Sequence, residues 1–104
     1  MAKGYWIARM DVFDPENYIK EYVSRNAEPI AAHKGRFLVR GGKATQVEGM
    51  MRDRNIVIEF PSYDDALACL NSPKYQEAME FRRQYGRGDL VIVEGYDGPQ
   101  PGQS

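Results

Sequence analysis

The chain of 104 residues is 42% hydrophobic and 12% aromatic, enough apolar material for one compact domain and too little for two. The net charge of −1 gives no basic excess for a general nucleic-acid binder, and no apolar run approaches the roughly 18 residues a membrane helix needs. Cys69 is the only cysteine, which excludes a disulfide within the chain and, with an opening "MAKGYWIARMD" that does not read as a secretory leader, leads us to expect a cytoplasmic protein.

Residues 4–11, "GYWIARMD", read as a first strand, since Tyr, Trp and Ile favour a pleated surface. Asp14-Pro15 is an N-cap followed by proline at the first helical position. A helix is expected from Pro15 to about Lys34, with Tyr18, Ile19, Tyr22, Val23, Ala27 and Ile30 along one stripe. Pro29 is expected to kink or split it, and Gly35 to end it. "RFLVRG" (36–41) is the second strand, and "NIVIEF" (55–60) is the third. Ser62 with Asp65 three places on is a capping arrangement, and Ser72-Pro73 starts a second helix rather than damaging the first. "FRRQYGR" (81–87) reads as a solvated basic helix end, and "DLVIVEGY" (89–96) as the fourth strand. The expected domain covers residues 1–97, with 98–104 a flexible Gly- and Pro-rich tail.

The order βαββαβ predicts an α+β, ferredoxin-like antiparallel sheet with helices on one face. Strand alternation assigns Trp6, Ala8, Met10, Phe37, Val39, Ile56, Ile58, Phe60, Val91 and Val93 to the helix-covered side. The opposite parity holds Tyr5, Ile7, Arg9, Leu38, Arg40, Val57, Glu59, Leu90, Ile92 and Glu94. So large an apolar face is expected to be covered by a second copy of the chain. Arg9, Arg40, Glu59 and Glu94 would then be enclosed between two sheets, where charges must pair.

The stretches "GYWIARMDVFDPENY", "GRFLVRGG", "IVIEFPSYDDA" and "NSPKYQ", together spanning about residues 4–96, resemble the bacterial family called domain of unknown function 1330. The resemblance implies a dimeric α/β barrel, a superfamily that includes antibiotic-biosynthesis monooxygenases, haem-degrading enzymes and muconolactone isomerases. It implies no established reaction. Cys69-Leu70 stand where that family usually carries bulky aromatics, which implies a different or larger pocket here.

The candidate ligand-binding residues are Tyr5, Arg9, Arg40, Glu59 and Glu94. Arg40 and Glu59 are expected either to form an ion pair at a dimer interface or to hold a carboxylate or enolate, with Glu59 as base. No catalytic residue is assigned; Glu59 and His33 carry the chemistry for proton transfer. Tyr18 and Tyr22 read as core, Cys69 as a buried inert thiol, and "RGG" (40–42) as a turn rather than a phosphate loop. One histidine and one distant cysteine argue against structural zinc, and no cofactor is expected. The functional expectation is a homodimer that binds a small organic molecule between sheet and helices or at the dimer interface. The alternatives are a cofactor-free or haem- or flavin-assisted oxygenase or isomerase, and an interaction module with a filled interior.

Overall fold

Strand β1, Gly4–Val12, runs through the middle of the sheet, in a computed structural model that describes residues 2–102. It pairs antiparallel with β3, Arg54–Phe60, on one side and with β4, Gly86–Glu94, on the other. Strand β2, Arg36–Arg40, adds outside β3, giving the order β2-β3-β1-β4 of a ferredoxin-like α+β fold. The expected architecture is thus the observed one. Residues 103 and 104 of the expected tail lie outside the described residues; within 98–102, the Tyr96 hydroxyl donates back to the Pro99 carbonyl at 2.8 Å.

The first helical stretch opens as expected. The Asp14 carboxylate caps α1, Pro15–Asn17, by accepting from the Asn17 backbone N–H at 3.2 Å. The chain then widens into a π-helix over Tyr18–Val23 before α2, Ser24–Ala32. Pro29 lies inside α2 without ending it. Lys34, not Gly35, takes the left-handed conformation after the helix (φ 62°). Gly35 is needed for close approach instead: a Cβ there would sit 2.7 Å from the Phe60 ring and 2.8 Å from Ile30.

The two-helix reading of residues 63–85 holds. Ser62 caps α3, Tyr63–Asn71, through the Asp65 N–H at 3.0 Å. Ser72 caps α4, Pro73–Tyr85, through the Tyr75 N–H at 3.3 Å, with Pro73 at the first helical position. Ser72 is extended (ψ 143°), so the helices meet at an angle. The helices cover one sheet face, and the core joins Trp6, Met10, Ile58 and Phe60 to Tyr18, Tyr22, Ile30, Ala66, Cys69, Tyr75 and Ala78.

Two strands depart from the expected facing. Register aligns Trp6 with both Ile58 and Ile92, and Ile7 with both Val57 and Val91. Leu90 and Ile92 therefore turn toward the helices, and Val91 and Val93 toward the open face, the reverse of expectation. An irregularity between Phe37 and Val39 does the same to β2. It brings Val39 opposite Val57 and Arg40 opposite Ile56, so Val39 joins the open face and Arg40 leaves it.

Candidate active site cavity

The π-helical turn is wider than an α-turn, and its inward face presents Tyr18, Ile19, Tyr22 and Val23 above the sheet. Beneath them lie Trp6, Ala8 and Met10 of β1 and Ile56 and Ile58 of β3. Asn26 of α2 and Tyr75 and Arg82 of α4 close the sides. The space, partly open to solvent beside Ile19 and Arg40, is about 260 Å³. A cavity of about 150 Å³ already admits a benzene ring.

Its aromatic walls are fixed by mutual contact. Trp6 and Tyr75 meet edge to face with centroids 4.7 Å apart, and Trp6 Nε1 donates to the Ala66 carbonyl at 2.9 Å. The Tyr22 and Tyr75 hydroxyls are 2.8 Å apart and share one hydrogen bond. Burial first, and then Tyr22, push the Tyr75 hydroxyl well above its ordinary pKa. Burial, followed by Tyr22, pushes Tyr18 up to about 12, against the opposing charges of Arg82 and Arg54. Tyr18 and Tyr75 are therefore neutral donors at physiological pH.

Two buried polar atoms of the lining, the Tyr18 hydroxyl and Asn26 Oδ1, have no hydrogen-bond partner of good geometry. Such atoms are uncommon in folded proteins and call for an explanation. Three guanidinium groups join them. Arg40 lies over the Phe37 ring at 4.1 Å and Arg54 over the Tyr18 ring at 5.6 Å. Arg82 is 7% exposed, with Nη2 2.8 Å from the Met10 sulfur and 3.5 Å from the Asp89 carbonyl oxygen. The basic stretch 81–87 is thus not wholly a solvated helix end.

The residues expected to gather around Glu59 do not form one site. Glu59 lies on the open face opposite Tyr5, whose hydroxyl donates to Oε2 at 3.1 Å. Its cation is Arg36, with Nε 3.0 Å from Oε1, and not Arg40 or Arg9. The hydrogen bond from Arg36, helped by that from Tyr5, holds the Glu59 carboxyl below its ordinary value, against the cost of burial. Tyr5 is raised, by burial first and then by Glu59. Arg9 reaches along the same face to Asn55 Oδ1 (3.1 Å), Gln46 Oε1 (2.8 Å) and the Met50 carbonyl (3.0 Å), tying down the connection between β2 and β3. Glu94 pairs in register with Gly4, on the helix-side parity, and is exposed. It has no ion-pair partner among the described residues.

His33 is half-buried beyond α2, its Nδ1 2.8 Å from the Pro29 carbonyl oxygen, and it lies outside the cavity. Cys69 is fully buried, and burial pushes its thiol up to about 12. Neither Cys69 nor Leu70 lines the cavity. Among the described residues no three His, Cys, Asp or Glu side chains converge as a metal site, and no helix is long and apolar enough to cross a membrane. Of the candidate ligand-binding residues only Arg40 reaches the cavity. Asn26, Arg54, Tyr75 and Arg82 were not singled out by sequence reasoning. One signal was legible: Tyr75, Ala78 and Arg82 share one helical stripe, which puts a cation on a buried face.

A four-stranded antiparallel sheet with helices on one face and a cavity between the layers defines a ferredoxin-like α+β protein. Residues 3–96 match the family described as Domain of unknown function (DUF1330), and the chain belongs to that family. No curated protein matches it in sequence. Among solved structures, it is similar to a protein of unknown function from Rhodopseudomonas palustris, at 16% identity and TM-score 0.72, covering 96% of this chain and 85% of that one. It is also similar to SnoaB, described as a cofactor-independent oxygenase from Streptomyces nogalater (15% identity, TM-score 0.62, 97% and 99% covered). A third is a dimeric ferredoxin-like protein of unknown function from Thermobifida fusca (17% identity, TM-score 0.58, 89% of each chain). At these identities the likeness is one of fold.

Proposed function

We propose that the chain is a cytoplasmic homodimer, with residues 1–97 as its folded domain, that binds a small organic molecule in the cavity between sheet and helices. The observation that carries the reading is the cavity itself: about 260 Å³ between aromatic and aliphatic walls, with two buried polar atoms that lack a hydrogen-bond partner of good geometry. A void of structural origin only would be expected to be apolar or to have its polar atoms paired. The open sheet face supports the dimer. It carries Ile7, Val39, Val57, Val91 and Val93 around the Arg36–Glu59–Tyr5 cluster, and a second copy gives closed, twofold cover. Sedimentation at low micromolar concentration is expected to show no stable monomer near 11.9 kDa.

Trp6 is the only tryptophan and lines the cavity, so its emission reports on occupancy directly. A panel of single-ring aromatic compounds is expected to include some that quench Trp6 saturably and raise the melting temperature. A ligand at 100 times its Kd stabilises by about 2.7 kcal/mol. A complete panel that moves neither signal would overturn the binding reading.

A second reading draws on the Streptomyces nogalater protein, described as a cofactor-independent oxygenase. The cavity favours it in one respect: neutral phenols and guanidinium groups can stabilise an enolate or phenolate formed inside it. Oxygen consumption with phenolic members of the panel tests that activity. Haem does not fit through the sole histidine, which lies outside the cavity.

A further inference from the structure

We infer that the cavity takes an organic anion: a compact aromatic ring carrying a carboxylate held by Arg82, and a hydroxyl or N–H group that donates to Asn26 Oδ1. This inference rests on the ligand-binding reading above and names the class of ligand. Its basis is the separation of charge. The whole chain has 15 acidic and 14 basic side chains, yet the cavity lining holds Arg40, Arg54 and Arg82 and no aspartate or glutamate.

Arg82 is the decisive group. A guanidinium has five N–H donors, and a buried one is costly unless an anion faces it. Arg52, also largely buried, is answered by Asp11 at 2.8 Å and Asp89 at 3.7 Å. Arg82, more buried still, meets a thioether sulfur, a carbonyl oxygen at the limit of hydrogen bonding and the neutral Tyr18 hydroxyl, and pairs with no carboxylate among the described residues. Its position in the last turn of α4 suits the helix dipole, which explains a cation there but not its burial. The other two cavity arginines lie over aromatic rings and form no ion pair among the described residues. The polar atoms without partners complete the ligand's outline. Tyr18 offers a neutral O–H beside Arg82, suited to a carboxylate oxygen, while Asn26 Oδ1 can only accept, so the ligand must donate to it.

A second, more open pocket shares Met10, Arg82 and Leu90 with the cavity and is otherwise lined by Arg83 and Arg87 among others. Arg82 thus borders both the aromatic cavity and an adjoining pocket that carries two further arginines, so the local field on that side favours anions.

The test uses the full chain and matched probes that share a ring and differ in charge: 4-hydroxybenzoate and 2-hydroxybenzoate against their methyl esters, titrated by calorimetry. The acids are expected to bind at least about 10-fold more tightly than the esters, with a preference that narrows as salt rises. Arg82→Met is expected to remove the preference for the acid over its ester. Arg40→Gln alters an exposed side chain, preserves the fold, and is expected to weaken acid binding selectively by a smaller factor. Esters that bind as well as the acids would overturn the anion inference and leave the ligand-binding reading standing. Failure of both members of every pair to bind would count against that reading as well.

Discussion

The hydroxyl pair between Tyr22 and Tyr75 allows a double-mutant test of how the cavity wall is held. The oxygens are 2.8 Å apart, and the residues are 7% and 1% exposed. Tyr75→Phe keeps the ring, and so keeps the edge-to-face contact with Trp6. It deletes one neutral hydrogen bond and strands the Tyr22 hydroxyl in a buried site, which together cost about 1–3 kcal/mol. We expect a loss of about 2 kcal/mol, and the same for Tyr22→Phe. With both hydroxyls gone nothing is stranded, so the double variant is expected to cost no more than either single one. The coupling energy is then about 2 kcal/mol. For a domain of this size each kcal/mol moves the melting temperature by about 4–8 °C, so each single variant should fall by about 8–16 °C. Urea unfolding at fixed protein concentration, with unchanged m, gives the cycle. Tyr18→Phe is the internal control: its hydroxyl lacks a partner of good geometry, so its removal is expected to be neutral or stabilising. Single-variant losses that simply add, within about 0.5 kcal/mol, would show that the two hydroxyls do not depend on one another, and the reasoning would fail.

Ser72→Ala is expected to cost about 1 kcal/mol, because Ser72 Oγ accepts from the first turn of α4 and also donates to the Cys69 carbonyl at 2.7 Å; an unchanged melting temperature would remove the cap from the account of the α3–α4 break. Glu59→Gln is expected to flatten the acid limb of the stability profile. The Glu59 carboxyl is held below its ordinary value of about 4.5, so its contribution is fully present above that pH and is lost as pH falls through the lowered folded value. Equal acid sensitivity in variant and wild type would show that the Arg36–Glu59–Tyr5 cluster does not govern it.

The element order was legible because its signals are local. Asp14-Pro15, Ser62 with Asp65, and Ser72-Pro73 each satisfy N–H groups within three residues, so they act before any tertiary contact forms. Alternation in β1 and β3 was legible as well, because polar residues there interrupt the apolar set: Arg9 in β1, Asn55 and Glu59 in β3. The π-helical widening at Tyr18–Val23 had no sequence signal, since Tyr18 and Tyr22 fit an α-helical stripe equally well.

What sequence could not determine was which way β2 and β4 face. In β4 the run Leu90-Val91-Ile92-Val93 is apolar at every position, so alternation is silent and only pairing with β1 selects the side. In β2, Phe37-Leu38-Val39 is equally uniform and carries an arginine at each end. The irregularity between Phe37 and Val39 sends Arg36 to Glu59 on the open face and Arg40 to the cavity. The chain thus specified by itself its strands, helices and caps, whose partners lie a few residues apart. The assignment of its charges to open face or cavity depends on register between strands far apart in sequence, and the pairing Tyr22–Tyr75 spans 53 residues. Only tertiary assembly brings such partners together, and so only the folded structure decided where the candidate site lies.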